Sequence, residues 1–189
     1  MNGVAVFGAP WDQKLVLTTI LISSLVLGVT GVTLWLAGSR MLSMPLRVLM
    51  LLSVGVALGA LLLGALLSPR GYAVSAESLT IRRVTRSIVI PMASIRSIEK
   101  ISPESLAGSI RTLGCSGAFG YYGRFRNSVL GDYRMYATRN DGYVMVRGER
   151  PYVLTPDLPD RFIESVRSVM PRAAVEGRGS SGDPGGEAR

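Results

Sequence analysis

The chain has 189 residues, a formal net charge of +8 and a mean hydropathy of +0.32, which is high for a soluble protein. Cys115 is the only cysteine, so no intrachain disulfide can form and an oxidising compartment is not implied. Histidine is absent, which excludes a zinc site built on histidine and a nucleophile activated by histidine.

The apolar residues are concentrated in two uncharged runs, at residues 15–37 and 48–67. Each run has about 20 residues or more, which at about 1.5 Å per residue spans the hydrocarbon core of a bilayer, about 30 Å. The first run is longer than the apolar region of a cleaved signal peptide, which has about 7 to 15 residues. We therefore predict a transmembrane helical hairpin over residues 15–67, preceded by an N-terminal cytoplasmic segment at residues 1–14.

Positive charges near the two runs predict the orientation of the hairpin, because cytoplasmic segments carry the excess of Lys and Arg. The connection between the runs carries two such charges, Arg40 and Arg47. The opposite side carries five: Lys14, Arg70, Arg82, Arg83 and Arg86. This distribution predicts a multi-pass protein of the cell membrane, with both the N-terminus and the C-terminus in the cytoplasm.

Small residues on the second run form a candidate surface for helix packing. Gly55 and Gly59 have the G-x-x-x-G spacing that lets another helix backbone approach closely, and Gly64 belongs to a similar pair one position round the helix. The surface could pack the two helices of one chain together, or it could join two copies of the chain. Because glycine is common in transmembrane helices, we favour the intramolecular interpretation.

Beyond Pro69 the pattern changes to short β-strands with one buried face. Apolar residues alternate with polar ones in two places, and further short strands with tight turns follow. The residues that carry this pattern are Leu79, Ile81, Ile88 and Ile90, and then residues 133–136, 143–146 and 152–154. Many short strands with tight turns predict a curved antiparallel sheet or partly open barrel of about seven strands, within a domain at residues 70–172.

One amphipathic helix follows the strands. Its apolar stripe is expected to close the open end of the sheet as core, although a stripe of this kind can also bind a partner or a membrane surface. Asp157 is expected to cap the helix and Pro171 to end it. Residues 173–189 are rich in Gly, Ser and charge and are predicted to be a disordered tail. The stripe consists of Phe162, Ile163, Val166 and Val169.

An ordered series of motifs resembles bacterial membrane-anchored pleckstrin-homology-like (PH) domains. The motifs are FGYYGRF at residues 119–125, GDYRMYAT at 131–138, YVLTP at 152–156 and DRFI at 160–163. The resemblance implies two transmembrane helices followed by a curved seven-stranded sheet and a C-terminal helix, a fold that serves as a platform for binding.

Many eukaryotic relatives bind phosphoinositides through basic residues between their first two strands, according to the same resemblance. The corresponding turn of this chain contains Ala76, Glu77 and Ser78, so it is short and acidic. Phosphoinositide recognition of that type is therefore not expected.

The domain at residues 70–172 is basic, with 16 Lys and Arg against 9 Asp and Glu and thus a net charge of +7. A basic domain held at a cytoplasmic leaflet is attracted to anionic lipid, by about 1 kcal/mol for each well-placed cation. Arg82, Arg83 and Arg86 are the candidate lipid contacts, because they follow the second membrane run closely. The alternative is a solvated face, since the sequence does not show whether these side chains and Arg111 converge.

Other chemistries have weaker support in the sequence. Nucleic-acid binding would use a run of aromatic and basic residues, but no recognisable nucleic-acid motif accompanies it. The glycine-rich stretch at residues 114–123 lacks the Gly-Lys-Ser or Gly-Lys-Thr ending of a phosphate-binding loop, and no carboxylates have paired spacing. We therefore predict no catalytic, cofactor or metal site. The residues weighed for nucleic acid are Tyr121, Tyr122, Arg124, Phe125 and Arg126.

Two function classes remain open from the sequence. The first is a membrane-anchored, non-catalytic binding module on the cytoplasmic face, which contacts a protein partner or anionic lipid headgroups. The second is a structural or regulatory subunit of a membrane protein complex that assembles through its transmembrane helices.

Overall fold

The computed structural model describes residues 3–39 and 42–171, so the predicted tail at residues 173–189 lies outside the described residues. The predicted class is confirmed: two apolar helices precede a β-sheet domain that ends in a helix. In chain order the strands and α-helices are β1 (Ala5–Gly8), α1 (Gln13–Gly38), α2 (Met44–Leu67), β2 (Pro69–Val74), β3 (Ser78–Arg83), β4 (Ile88–Pro91), β5 (Ile95–Lys100), β6 (Ile110–Ser116), β7 (Tyr121–Asn127), β8 (Gly131–Ala137), β9 (Val144–Gly148), β10 (Tyr152–Leu154) and α3 (Pro159–Val169).

The helices α1 and α2 have 26 and 24 residues and extend the two predicted runs by a few residues, mainly at their N-terminal ends. Both are long and apolar enough to cross a membrane, by length and composition. Asp12 caps α1, because its side chain accepts a hydrogen bond from the backbone N of Leu15 at 2.6 Å. A proline lies in the first turn of α2. The backbone N–H groups of a first turn have no partner within the helix, so a residue without an N–H is well tolerated there.

The N-terminal segment is part of the β domain rather than a separate piece of chain. Its strand β1 pairs antiparallel with β2, with Ala5 opposite Val74 and Phe7 opposite Tyr72. The segments that precede α1 and follow α2 therefore meet in one sheet. This pairing places the N-terminal segment and the β domain at the same end of the helical hairpin.

The described strands form two sheets, of order β1-β2-β3-β4 and β5-β9-β10-β8-β7-β6. A 3-10 turn at Met92–Ser94 carries the chain from β4 in the first sheet to β5 in the second. There are ten described strands rather than about seven, and one of the additional strands is β1, which precedes the helical hairpin and joins the first sheet. The pair β10 and β8 is parallel, while the other described pairs are antiparallel.

The main core lies between the sheets and is covered by α3. Phe162 and Val166 are fully buried, and Ile163 is 8% exposed. Val169 is partly buried and packs against the same cluster. The apolar stripe of α3 thus faces the core, as a helix that closes the end of a sheet must.

Asp157 has a different role from the one predicted. The N-cap position of α3 is Leu158, and no side chain caps it. Asp157 Oδ1 instead accepts a hydrogen bond from the Leu158 backbone N at 3.0 Å. The backbone N of Asp157 donates to the Gly8 carbonyl at 3.1 Å, so the segment before α3 is tied to β1. The cap prediction failed because this long-range contact with β1 positions Asp157.

Candidate functional site

The turn between β6 and β7 is bonded to both membrane-type helices. Phe119 lies in this turn with φ +61°. Its backbone N donates to Thr19 Oγ1 of α1 at 3.0 Å, and its carbonyl accepts a hydrogen bond from Ser68 Oγ, directly after α2. We call this region, formed by residues 117–120 and the adjoining helix ends, the helix–domain junction.

Gly64 belongs to the junction, which the sequence did not indicate. A Cβ at this position would lie 2.9 Å from Cδ2 of Phe119, and the Tyr122 hydroxyl donates to the Gly64 carbonyl at 2.9 Å. Gly55 and Gly59 have no atom within 4 Å of the corresponding position. The use of Gly55 and Gly59 for helix packing, within one chain or with a second chain, stays a prediction.

The start of α1 makes further contacts with the domain. Asp12 Oδ2 accepts a hydrogen bond from the Asn140 backbone N at 3.2 Å. Thr138 Oγ1 donates to the Pro10 carbonyl at 2.9 Å. Trp11 packs edge-on against Phe119, with ring centroids 6.3 Å apart. The domain is thus held against the ends of both helices by contacts from several of its strands and turns.

Two of the three arginines predicted to contact lipid, Arg82 and Arg83, lie on opposite faces of β3. Because side chains alternate along a strand, Arg83 lies on the face of β3 that carries the buried Leu79 and Ile81. Arg82 lies on the opposite face and is exposed. The Arg83 guanidinium donates to the Arg86 carbonyl through Nε at 2.9 Å and Nη2 at 2.6 Å, so these two residues are brought together.

The turn that contains Arg86 lies at the end of α2. Thr85 Oγ1 donates to the carbonyl of Leu66, one residue before the helix ends, at 3.3 Å. Arg86 itself is exposed. The structure therefore places this basic turn next to the end of α2.

The residues weighed for nucleic-acid binding lie on two faces of β7. Tyr122, Arg124 and Arg126 share one face, while Tyr121 and Phe125 share the other. Tyr122 and Phe125 are buried, so the set does not form one aromatic and basic surface. Among the described residues no group of three or more His, Cys, Asp or Glu side chains is placed to hold a metal ion.

Two buried phenols stay protonated at neutral pH and act as hydrogen-bond donors. Burial raises the pKa of Tyr72 to about 12, and its hydroxyl donates to the Tyr136 carbonyl at 2.6 Å. Burial, together with the neighbouring Cys115, raises the pKa of Tyr122 above its ordinary value. Tyr122 is the residue that reaches the Gly64 carbonyl of α2, so its neutral phenol supports the junction.

The family model described as Bacterial PH domain matches residues 70–170. This chain belongs to the bacterial PH domain family. PH domains are generally binding modules without catalytic activity. Comparison with curated proteins and with solved structures finds no match for the chain.

The matched segment contains β3 to β10, α3 and nearly all of β2, but it does not contain β1. The PH domain of this chain therefore takes one strand of its first sheet from outside the matched segment. The strand β1 precedes the helical hairpin in sequence, and the turn of the junction follows it. The PH domain is therefore connected to the hairpin by residues that lie before it and by residues that lie after it in sequence.

Sequence reasoning did not single out Phe119, Thr19 or Ser68 as residues that join the PH domain to the helices. One local signal was available: Phe119 is a large apolar residue between Gly117 and Gly120, in a turn where such a side chain needs a partner. The sequence does not identify that partner, because α1 and α2 lie 50 to 100 residues away along the chain.

Proposed function

We propose that this protein is a membrane-anchored, non-catalytic binding module. In this proposal α1 and α2 cross the membrane and hold the PH domain against its cytoplasmic face, where the domain contacts anionic lipid headgroups. The observation that carries the proposal is the hydrogen bond from Thr85 to Leu66, because it sets the basic turn with Arg83 and Arg86 at the end of α2. A helix that ends at the bilayer surface would bring this turn to the headgroups.

The length and the composition of the two helices support the membrane anchor. Most large apolar side chains of α1 and α2 are exposed, which is favourable in lipid and unfavourable in water. The sheet pairing of β1 with β2 puts the segments before and after the hairpin at the same end. The charge difference of five against two favours the cytoplasmic side for that end.

The charge of the domain supports lipid as the partner. The net charge of +7 at residues 70–172 is attracted to an anionic leaflet, and each cation near the surface contributes about 1 kcal/mol. Arg70, Arg82 and Arg86 are exposed close to the end of α2. If the same face were found to bind a protein instead of lipid, that result would replace this proposal.

The test uses the full chain in lipid nanodiscs, because β1 belongs to the first sheet of the PH domain. Amide hydrogen exchange at residues 82–88 is measured in discs of phosphatidylcholine alone and in discs that also contain phosphatidylglycerol. We expect slower exchange in the anionic discs, and we expect high salt to abolish the difference. Arg86→Gln should reduce the protection, whereas Arg161→Gln on α3 should leave it unchanged. Equal exchange in both kinds of disc would contradict lipid binding.

A second candidate function, a subunit that assembles through its membrane helices, rests on Gly55 and Gly59. Their open positions on α2 could accept a helix of a second chain. Two differently tagged copies of the chain should then co-purify, and Gly59→Ile should prevent it. Absence of co-purification of the unsubstituted chain would rule out self-assembly of this kind.

A further inference from the structure

The outer face of the first sheet carries an uncharged row of side chains that crosses all four strands. Val6 of β1 lies opposite Ala73 of β2, and Ala73 lies opposite Thr80 of β3. Thr80 in turn lies opposite Val89 of β4. Side chains alternate along a strand, and the residues next to these four belong to the main core. The row therefore points away from the core.

The two ends of this row are exposed valines. Val6 is 59% exposed and Val89 is 60% exposed, and they lie on the two edge strands of the sheet. Ala73 and Thr80 are half-buried between them. A single exposed valine is ordinary, but an uncharged row across a whole sheet is typical of a surface that another molecule covers.

The next row of the same face lies nearer to the membrane helices and carries charge. Gly8, Gly71 and Arg82 are neighbours in this row. A Cβ at Gly8 would lie 3.2 Å from Asp157 Oδ2, which places the Asp157 carboxylate beside β1 at the edge of the face. None of the ion pairs found between described residues includes Arg82 or Asp157. The face thus has a cation on β3 and a carboxylate beside β1.

The membrane helices restrict how a second copy of the chain can meet this face. β1 ends shortly before α1 and β2 begins directly after α2, so the strands lead away from the hairpin. If two hairpins cross one membrane in the same direction, a two-fold axis between the copies runs along these strands and not across them. This axis places β1 of one copy opposite β4 of the other, and β2 opposite β3.

Under this symmetry the face is complementary to itself. Val6 of one copy meets Val89 of the other. Ala73 meets Thr80, and these small side chains let the two sheets approach closely. Asp157, beside β1, comes to the side of the other copy on which Arg82 lies, so two pairs of opposite charges approach each other. The net charge of +7 on each domain would otherwise keep two copies apart.

We propose that the outer face of the first sheet binds a second copy of this chain. Four strands and three rows cover about 300 to 400 Å², which is less than the roughly 800 Å² that each partner of a stable interface buries. Confinement to one membrane raises the effective concentration of the copies, so the pair should form in membranes and separate on dilution in detergent. The pairing goes beyond lipid binding and rests on the proposed function only through the membrane anchor, which sets the axis.

Cross-linking in isolated membranes tests the arrangement. Val6→Cys and Val89→Cys are made in separate, differently tagged chains with a Cys115→Ser background, and the two chains are co-expressed. A short bifunctional maleimide should join the two variants at least about fivefold more efficiently than it joins two copies of either one, because like positions lie about 14 Å apart across three strand spacings. Equal products for the three combinations, or no dimer in any of them, would overturn the proposal.

A charge in the centre of the face should separate the copies. Thr80→Lys brings two like charges together across the axis, so the cross-linked product should fall at least about tenfold. Val129→Lys is the control, because Val129 is 71% exposed at the turn between β7 and β8, away from this face. Thr80→Lys leaves the Gly55 and Gly59 surface of α2 unchanged, so it also separates the two surfaces. An undiminished product in Thr80→Lys would contradict the proposal.

Charge reversal gives a test that does not depend on Thr80. Arg82→Asp sets a carboxylate near Asp157 of the other copy and should lower the amount of product. The double variant R82D/D157R should restore it, which is not expected if each residue acts only within its own chain. Thermal unfolding shows whether the variants are folded. No recovery in a folded double variant would overturn the charge pairing on which the arrangement depends.

The bilayer is the other molecule that this face could meet. A bimane label on V89C that brominated lipid quenches, in chains that give no cross-linked dimer, would overturn the proposal in favour of the bilayer. Absence of the dimer together with protection of residues 82–88 by anionic lipid would overturn the pairing and leave the proposed function standing.

Discussion

Phe7 of β1 packs edge-on against Phe162 of α3, with ring centroids 5.2 Å apart and ring planes at 88°. The two residues lie on opposite sides of the helical hairpin in sequence, yet they share one core. Phe162 also contacts Tyr72 of β2, the strand that pairs with β1. The PH domain therefore includes residues from both sides of the hairpin.

Replacement of Phe7 tests whether β1 belongs to the core. Phe7 is 7% exposed, so Phe7→Ala should lower the free energy of unfolding by about 3 to 5 kcal/mol, through lost burial and a cavity. Its neighbour Val6 is 59% exposed on the other face of the strand, and Val6→Ala should change stability by less than about 0.5 kcal/mol. Denaturant unfolding of the full chain in detergent measures both, and similar losses for the two variants would contradict the placement of β1.

The sequence predicted the hairpin and α3 because their patterns are local and long. The runs at residues 15–37 and 48–67 are uncharged throughout, and the stripe from Phe162 to Val169 has helical spacing. The strand β1 has four residues, and its pairing partner β2 lies more than 60 residues further on. No local pattern distinguishes so short an apolar segment from the start of a membrane helix.

The role of Phe162 as core is tested with α3 itself. Phe162→Ala should cost about 3 to 5 kcal/mol, whereas Glu164→Ala on the exposed face should be nearly neutral. In a double-mutant cycle, Phe7 and Phe162 should show a coupling of about 0.5 to 1.5 kcal/mol, as aromatic pairs do. An unchanged unfolding midpoint for Phe162→Ala would mean that the stripe binds a partner or a membrane surface instead.

Gly64→Ala tests the junction. The new Cβ would lie 2.9 Å from the Phe119 ring, so the turn at residues 117–120 must move and its bonds to Thr19 and Ser68 should weaken. Amide exchange of this turn should become faster. Gly59→Ala is the matched control, because no atom lies within 4 Å of its Cβ position. If both variants exchange like the unsubstituted chain, the Phe119 contact does not hold the domain to α2.

Alkaline pH should destabilise the PH domain through Tyr72. Its pKa is raised from 10.0 to about 12 in the folded state by burial. Between these values the unfolded chain loses a proton that the folded chain keeps, so stability falls as pH rises through this window. Tyr72→Phe should make the fall less steep, and at neutral pH it should cost about 1 to 3 kcal/mol, because the bond to the Tyr136 carbonyl is lost. An equally steep fall in Tyr72→Phe would exclude this residue as the cause.

The candidate site could be predicted only in part, because the sequence does not show which residues of neighbouring strands lie opposite each other. Arg83 is recognisable as a basic residue that follows the second helix closely, and strand alternation places it on the face of Leu79 and Ile81. Its approach to the Tyr136 ring depends on how the two sheets pack across the core. The contact of Gly64 with Phe119 could not be predicted for the same reason, since the two residues are 55 positions apart.

The proposed anchoring of the PH domain at the cytoplasmic face is tested directly by cysteine labelling in intact cells. In a Cys115→Ser background, single cysteines replace Ser39 at the connection between α1 and α2 and Val129 at the turn between β7 and β8, where the native side chain is 71% exposed. A membrane-impermeant maleimide should label Ser39→Cys from outside, and should label Val129→Cys only after the cells are opened. Labelling of Val129→Cys in intact cells, or release of the chain from membranes by alkaline carbonate, would contradict the account.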